Sequence, residues 1–152
     1  MSLLKGYQTE HSPIRTQIFW VEMNGIESFV STHFVRHKIG VEHYVKSNRD
    51  DLTGSNEVID RNTLVNHAML INSAALISMA RKRLCLKSHR KTTAVMAKIV
   101  HEIMGIDLDL YKYLVPECVY RNKFCPEVKE CPAGLNKVYA AYIRRNKECQ
   151  NH

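Results

Sequence analysis

Arg36, His37 and Lys38 stand in a row, and Ser47 and Arg49 follow after eight intervening residues. Glu42 and His43 lie between them. A guanidinium fork, an ammonium and a hydroxyl are the side chains that grip an anion, most simply a phosphate. Taken alone, the stretch reads as a solvated basic strand, so the anion reading needs support from elsewhere in the chain. A strand over residues 41–49 supplies part of it. Side chains alternate with period two, so Val41, His43, Val45, Ser47 and Arg49 share one face. Ser47 and Arg49 then point the same way, about 7 Å apart, and can hold one phosphate between them.

Asn72 and Arg83 form a second candidate pair, eleven positions apart. At about 100° per residue, eleven helical steps return to nearly the same azimuth, about 16 Å along the axis. The plain reading of Arg81, Lys82 and Arg83 is a cationic helix C-terminus that complements the macrodipole. His33 and His37, one helical turn apart, read as a packing and hydrogen-bonding pair before a metal pair.

The elements that must position these groups follow from pattern. Residues 14–22, IRTQIFWVE, are rich in β-branched and aromatic types behind Pro13 and predict a strand. Asn24-Gly25 predicts a turn, and residues 26–34 show helical apolar spacing until Gly40. Residues 50–54 predict a turn. Asp60 is placed to cap a long helix over residues 62–84. Ser88 is placed to cap another, ending at Gly105, and a short helix is expected over residues 107–114 before Pro116. Residues 115–134 hold three cysteines and read as an irregular loop, followed by a basic helix over residues 135–146. In that helix Val138, Tyr142 and Ile143 dock, while Lys137, Arg144, Arg145 and Lys147 stay wet.

The 152 residues, 45% hydrophobic and 24% charged, fit one domain, residues 1–152, with a real core. No apolar run reaches the roughly 18 residues of a membrane span. The N-terminal stretch is too polar for a signal peptide, which makes the cytoplasm the expected location. A net charge of +7 favours anionic partners without choosing among them. No nucleic-acid signature is visible. Five cysteines, an odd number, read as reduced thiols. Cys118, Cys125 and Cys131 are also weighed as zinc ligands, but their spacing contains no CxxC and ordinary thiols are favoured.

Arg36-His37-Lys38, eight residues, then Ser47-Asn48-Arg49 resembles the signature of the flavin-dependent thymidylate synthases: Arg-His-Arg, seven or eight residues, then Ser-x-Arg. Asn72, Leu76 and Arg83 resemble that family's second block. TEHSPIR resembles its opening, and PECVYRNKFCPEVKEC the tail of some short, phage-like members. The resemblance runs in order from about residue 9 to residue 132. It implies an α+β fold, a central antiparallel sheet flanked by helices, and a homotetramer with flavin sites between subunits. It implies methylation of dUMP to dTMP, with methylenetetrahydrofolate as the carbon source and FAD, reduced by NADPH, as the hydride carrier. By the same resemblance Arg36, His37, Lys38 and Asn72 bind the cofactor. Ser47 and Arg49 bind the dUMP phosphate. Arg83 contacts the uracil as the catalytic cation.

Several positions depart from the pattern. Lys38 replaces an arginine, Tyr44 and Val45 replace an Asn-Glu pair, and Ser88-His89 replaces Ala-Gln. The segment between Arg49 and Asn72 is much shorter than in typical members. These departures sustain a second reading, a non-catalytic viral protein that kept the fold and binds a nucleotide, nucleic acid or virion proteins. A third is a small zinc-stabilised nucleic-acid-binding protein built on the cysteine loop.

Overall fold

The computed structural model describes residues 3–46, 60–131 and 133–148. Its centre is a strand where the sequence pattern predicts helix. Val65, His67, Met69 and Ile71 fall every second residue, and each is 9% exposed or less. That alternation makes residues 64–72 the middle of a sheet rather than the first turns of a long helix. Among the described residues the sheet has three strands, β1 (Ile18–Glu27), β2 (Val41–Val45) and β3 (Leu64–Asn72), in the order β1-β3-β2. Both pairings are antiparallel. Phe19, Ile71 and Val41 lie in register on one face, as do Val21, Met69 and His43.

Two strand expectations shift. β1 starts at Ile18, because Ser12–Arg15 forms a single 3-10 turn around Pro13 that buries Ile14 completely. Asn24-Gly25 is a bulge inside β1, not its end. The register slips between Met23 and Ile26, Gly25 sits at φ 64°, and its N–H donates to Asn66 Oδ1 at 3.0 Å.

Helices cover the inner face of the sheet. After α1 (Leu3–Thr9) and α2 (Ser28–Val35) come α3 (Ser73–Arg83), α4 (Arg90–Ile106) and α5 (Leu108–Tyr113). α3 contributes Leu76, Ile77, Met79 and Ala80 to the core, and α4 contributes Met96, Ile99, Val100 and Ile103. Each large side chain so buried stabilises the fold by roughly 1.5–3 kcal/mol. α4 runs one residue past Gly105, and His89, not Ser88, caps its start by accepting from Lys91 N at 3.3 Å. Asp107 ends α4 and caps α5 through Leu110 N at 2.8 Å. Its other oxygen accepts from the buried Tyr7 hydroxyl at 2.6 Å and from Gln17 Nε2 at 2.8 Å, which ties α1 to the α4–α5 junction.

The chain finishes with α6 (Glu117–Tyr120), an irregular loop and α7 (Leu135–Glu148). Arg145 does not stay wet. Its guanidinium lies 4.3 Å from the Tyr111 ring centroid and 4.7 Å from that of Tyr142, and donates to Tyr111 O and Leu114 O. The cation thus pins α7 to α5 by covering two rings and capping the carbonyls of Tyr111 and Leu114, the first of which also accepts from Leu114 N. The architecture is α+β, a small antiparallel sheet with helices packed against it. Among the described residues no helix is long and apolar enough to cross a membrane.

Candidate functional site

Arg83 is the last residue of α3, and it reaches the end of α2. Its Nε donates to His37 Nε2 at 3.1 Å, and its Nη2 donates to the backbone carbonyl of His33. The carbonyl is one of the orphan acceptors at the C-terminus of α2, so the arginine closes that helix while sitting at the end of its own. His37 must accept at Nε2, which leaves its proton on Nδ1 and the ring neutral. Burial, then the charges of Arg83, His43 and Lys82, hold its pKa down to about 4.

The surroundings are cationic and aromatic. Burial lowers the pKa of His33, helped by the charges of Arg83, Arg36, His89 and Arg61. Phe29 stands edge-on to His33 and His89, with ring centroids 5.8 and 4.7 Å apart, and Arg61 lies over the Phe29 ring at 5.2 Å. His33 Nδ1 meets the buried Thr92 hydroxyl at 2.7 Å. Among the described residues neither Arg36, Lys38 nor Arg83 forms an ion pair with a carboxylate. Glu27 faces His89 at the edge of the cluster, while Arg36, Lys38 and Arg83 keep their charge available to an external anion.

A second network lies beneath it, running through β2 and β3. Ser31 Oγ is 3.0 Å from His67 Nδ1, His67 Nε2 is 2.9 Å from His43 Nδ1, and His43 Nε2 is 2.8 Å from the carbonyl of His37. A carbonyl only accepts, so the whole chain has one polarity. His43 donates to His37 O and accepts from His67, and His67 accepts from the Ser31 hydroxyl. His67 is 1% exposed, and burial, then the neighbouring His43, lowers its pKa to about 4. An open hollow of about 570 Å³ at the ends of β2 and β3 is lined by His43, Lys46, Asn66 and His67, among others.

The expected residues are therefore partly assembled. Arg36, His37 and Arg83 come together, and Lys38 follows them on the exposed surface. Asn72 does not join Arg83. It caps the far end of α3, its Oδ1 accepting from Ala75 N at 2.9 Å, and it lies against Gly40, whose carbonyl accepts from Asn72 N at 3.0 Å. Ser47 and Arg49, the expected phosphate grip, lie outside the described residues, as does the turn expected at residues 50–54. Cys118, Cys125 and Cys131 do face a common cavity, joined there by Cys85. Among the described residues no group of three or more His, Cys, Asp or Glu stands ready to hold a metal ion. Sequence reasoning missed His67 and Ser31. The signal was present, since a histidine at an inward position of a period-two apolar run needs a hydrogen-bonding partner.

A scan of protein-family models, a search of curated proteins and a search of solved structures each matched nothing.

Proposed function

We propose that this chain is a flavin-dependent thymidylate synthase-like protein that methylates dUMP to dTMP, with methylenetetrahydrofolate and NADPH as co-substrates. The observation that carries the reading is the meeting of Arg83 with His37 beside Arg36, without a carboxylate paired to them among the described residues. In this reading Arg83, fixed by its two bonds, stabilises the negative charge that develops on the uracil oxygens. Its position is set before substrate arrives, so little reorganisation is needed during reaction. Arg36 and Lys38 offer cations to the phosphates of the cofactor or nucleotide. FAD, when bound, supplies the hydride.

The cationic cluster fits the pyrophosphate of such a cofactor. A slot for its ring is another matter. The cavity between β1 and α4, about 330 Å³ and lined by Phe19, Val21, Met23, Val95 and Ile99 among others, includes none of the motif residues. The outer face of the sheet offers a complement: Ile18, Trp20 and Tyr44 are each more than half exposed there. A second copy of the chain covering that face is the arrangement we propose, in line with flavin sites shared between subunits.

Tritium release from 5-tritiated dUMP, with FAD, NADPH and methylenetetrahydrofolate, tests the reaction. Binding is tested separately by melting temperature. Either ligand at 100 times its Kd stabilises by about 2.7 kcal/mol. A colourless protein stabilised by neither FAD nor dUMP rules the proposal out. One observation favours the second reading, a non-catalytic nucleotide- or nucleic-acid-binding descendant. Asn72, expected at the flavin, spends its carbonyl oxygen on the α3 cap. Steeply salt-dependent DNA binding without a dUMP response would select it.

A further inference from the structure

All four cysteines among the described residues turn toward one small cavity. Cys85 lies just after α3, Cys118 lies in α6, and Cys125 and Cys131 lie in the loop that follows. The cavity they line, with Pro116, Leu135 and Val138 among its other walls, is about 20 Å³, room for one small sphere.

The loop is organised around sulfur rather than around apolar side chains. Between Arg121 and Cys131, only Cys125 and Cys131 are partly buried, and every other residue is exposed. Phe124 is 60% exposed and Val128 fully so, while the neighbouring cysteine turns inward. That inverts what the hydrophobic effect alone would choose. The turn leading into Cys125 also carries two consecutive non-glycine residues in the left-handed region, Asn122 at φ 49° and Lys123 at φ 72°. Such residues persist where their surroundings over-determine them. The apolar core of this lobe is only Val115, Val119 and Val138, with a few partly buried neighbours, too little to impose the loop unaided.

We propose that Cys85, Cys118, Cys125 and Cys131 bind one zinc ion, and that this tetrathiolate site fastens the α6–α7 lobe to the end of α3. Four cysteines lining one single-ion cavity supply the ligand type and number of a closed structural site. The four thiols do not stand at ligand distances in this structure, so binding would draw them together. Loading breaks four S–H bonds, forms four Zn–S bonds of about 2.3 Å and releases four protons, with no electron transfer. The resulting double negative charge meets a mixed wall, with Lys87 beside Glu117 and Glu127. Lys87 lines the cavity, and its ammonium donates to Lys129 O at 2.6 Å.

The site does not depend on the thymidylate synthase reading, and its test has no nucleotide in it. Full-length protein, purified without added metal, should carry about one zinc per chain by elemental analysis. Cys125→Ser and Cys85→Ser should each lose it, while Cys149→Ser should keep it. If the serine variants are insoluble, the wild type carries the test. An organomercurial that blocks the thiols should release the zinc, and cobalt exchanged into the site should show the charge-transfer bands of a tetrahedral tetrathiolate. A soluble wild-type protein without zinc whose cysteines all titrate as free thiols, or are paired as disulfides, overturns the proposal. So does zinc that survives Cys85→Ser.

Discussion

Acid should weaken this fold through its buried and half-buried histidines, and His67 is the one whose share can be isolated. His67 is 1% exposed, neutral, and hydrogen-bonded at both ring nitrogens, to Ser31 and to His43. Its folded pKa is about 4, where an unfolded histidine titrates near 6.5. Between those values the unfolded chain holds a proton that the folded chain refuses. Stability therefore falls as pH drops, from full value above about 6.5 to its lower plateau below about 4. Over that interval the loss from this group is about 3 kcal/mol, a large fraction of a small domain's stability. His67→Asn isolates it, because an amide can keep the Ser31 bond and does not titrate. Urea unfolding followed by far-UV circular dichroism at pH 7, 6, 5 and 4 measures both proteins. The variant should be the less stable at pH 7, and the gap should shrink by about 3 kcal/mol toward pH 4. His33 and His37 titrate in both proteins and cancel in the difference. Parallel curves would refute the reasoning, since they would mean that His67 accepts a proton equally well folded.

Four further outcomes follow from the same geometry. Arg83→Ala removes a cation that depresses His33 and His37, so the pKa of both rings should rise in an NMR titration, and dUMP affinity should be lost; Arg83→Lys, lacking the fork, should not restore the paired contact. Gly40→Ala places a Cβ 2.6 Å from Asn72 Nδ2 at φ +72°, and should lower stability by at least about 1–2 kcal/mol in thermal or urea melts. Asn72→Ala removes the α3 cap and should cost about 1 kcal/mol, with loss of FAD binding as well only if the side chain also serves the cofactor. Trp20→Glu on the outer sheet face should leave the melting temperature of dilute protein nearly unchanged yet shift sedimentation toward the monomer; an unchanged sedimentation profile would remove that face from the proposed assembly.

Periodicity located much of the fold. The helix after Gly25, the strand after Gly40, the amphipathic α4 and the closing basic helix were legible because their apolar spacing is regular. The central strand was not. LVNHAMLIN mixes good helix formers with period-two burial, and its continuation directly into α3 extends an apparent helical run across the boundary. Tertiary pairing with both neighbours decided it. Gly25 misled for a related reason, since a glycine with positive φ serves a bulge as readily as a turn. Within the candidate site, Arg36, His37 and Arg83 were picked out by residue type and spacing, but their direct contact was not legible, because helix ends meet only in three dimensions. The convergence of Cys85 on the cysteine loop was likewise invisible to spacing.

Arg83 is held by a ring nitrogen and a peptide carbonyl, not by an acid. Among the described residues no carboxylate pairs with it, so under the proposed function an incoming phosphate or nucleobase would have none to evict. The carbonyl that steadies the arginine also has no proton to gain in mild acid. Protonation of His37 would remove the other bond, because an imidazolium nitrogen cannot accept, so strong acid leaves Arg83 anchored by the His33 carbonyl alone.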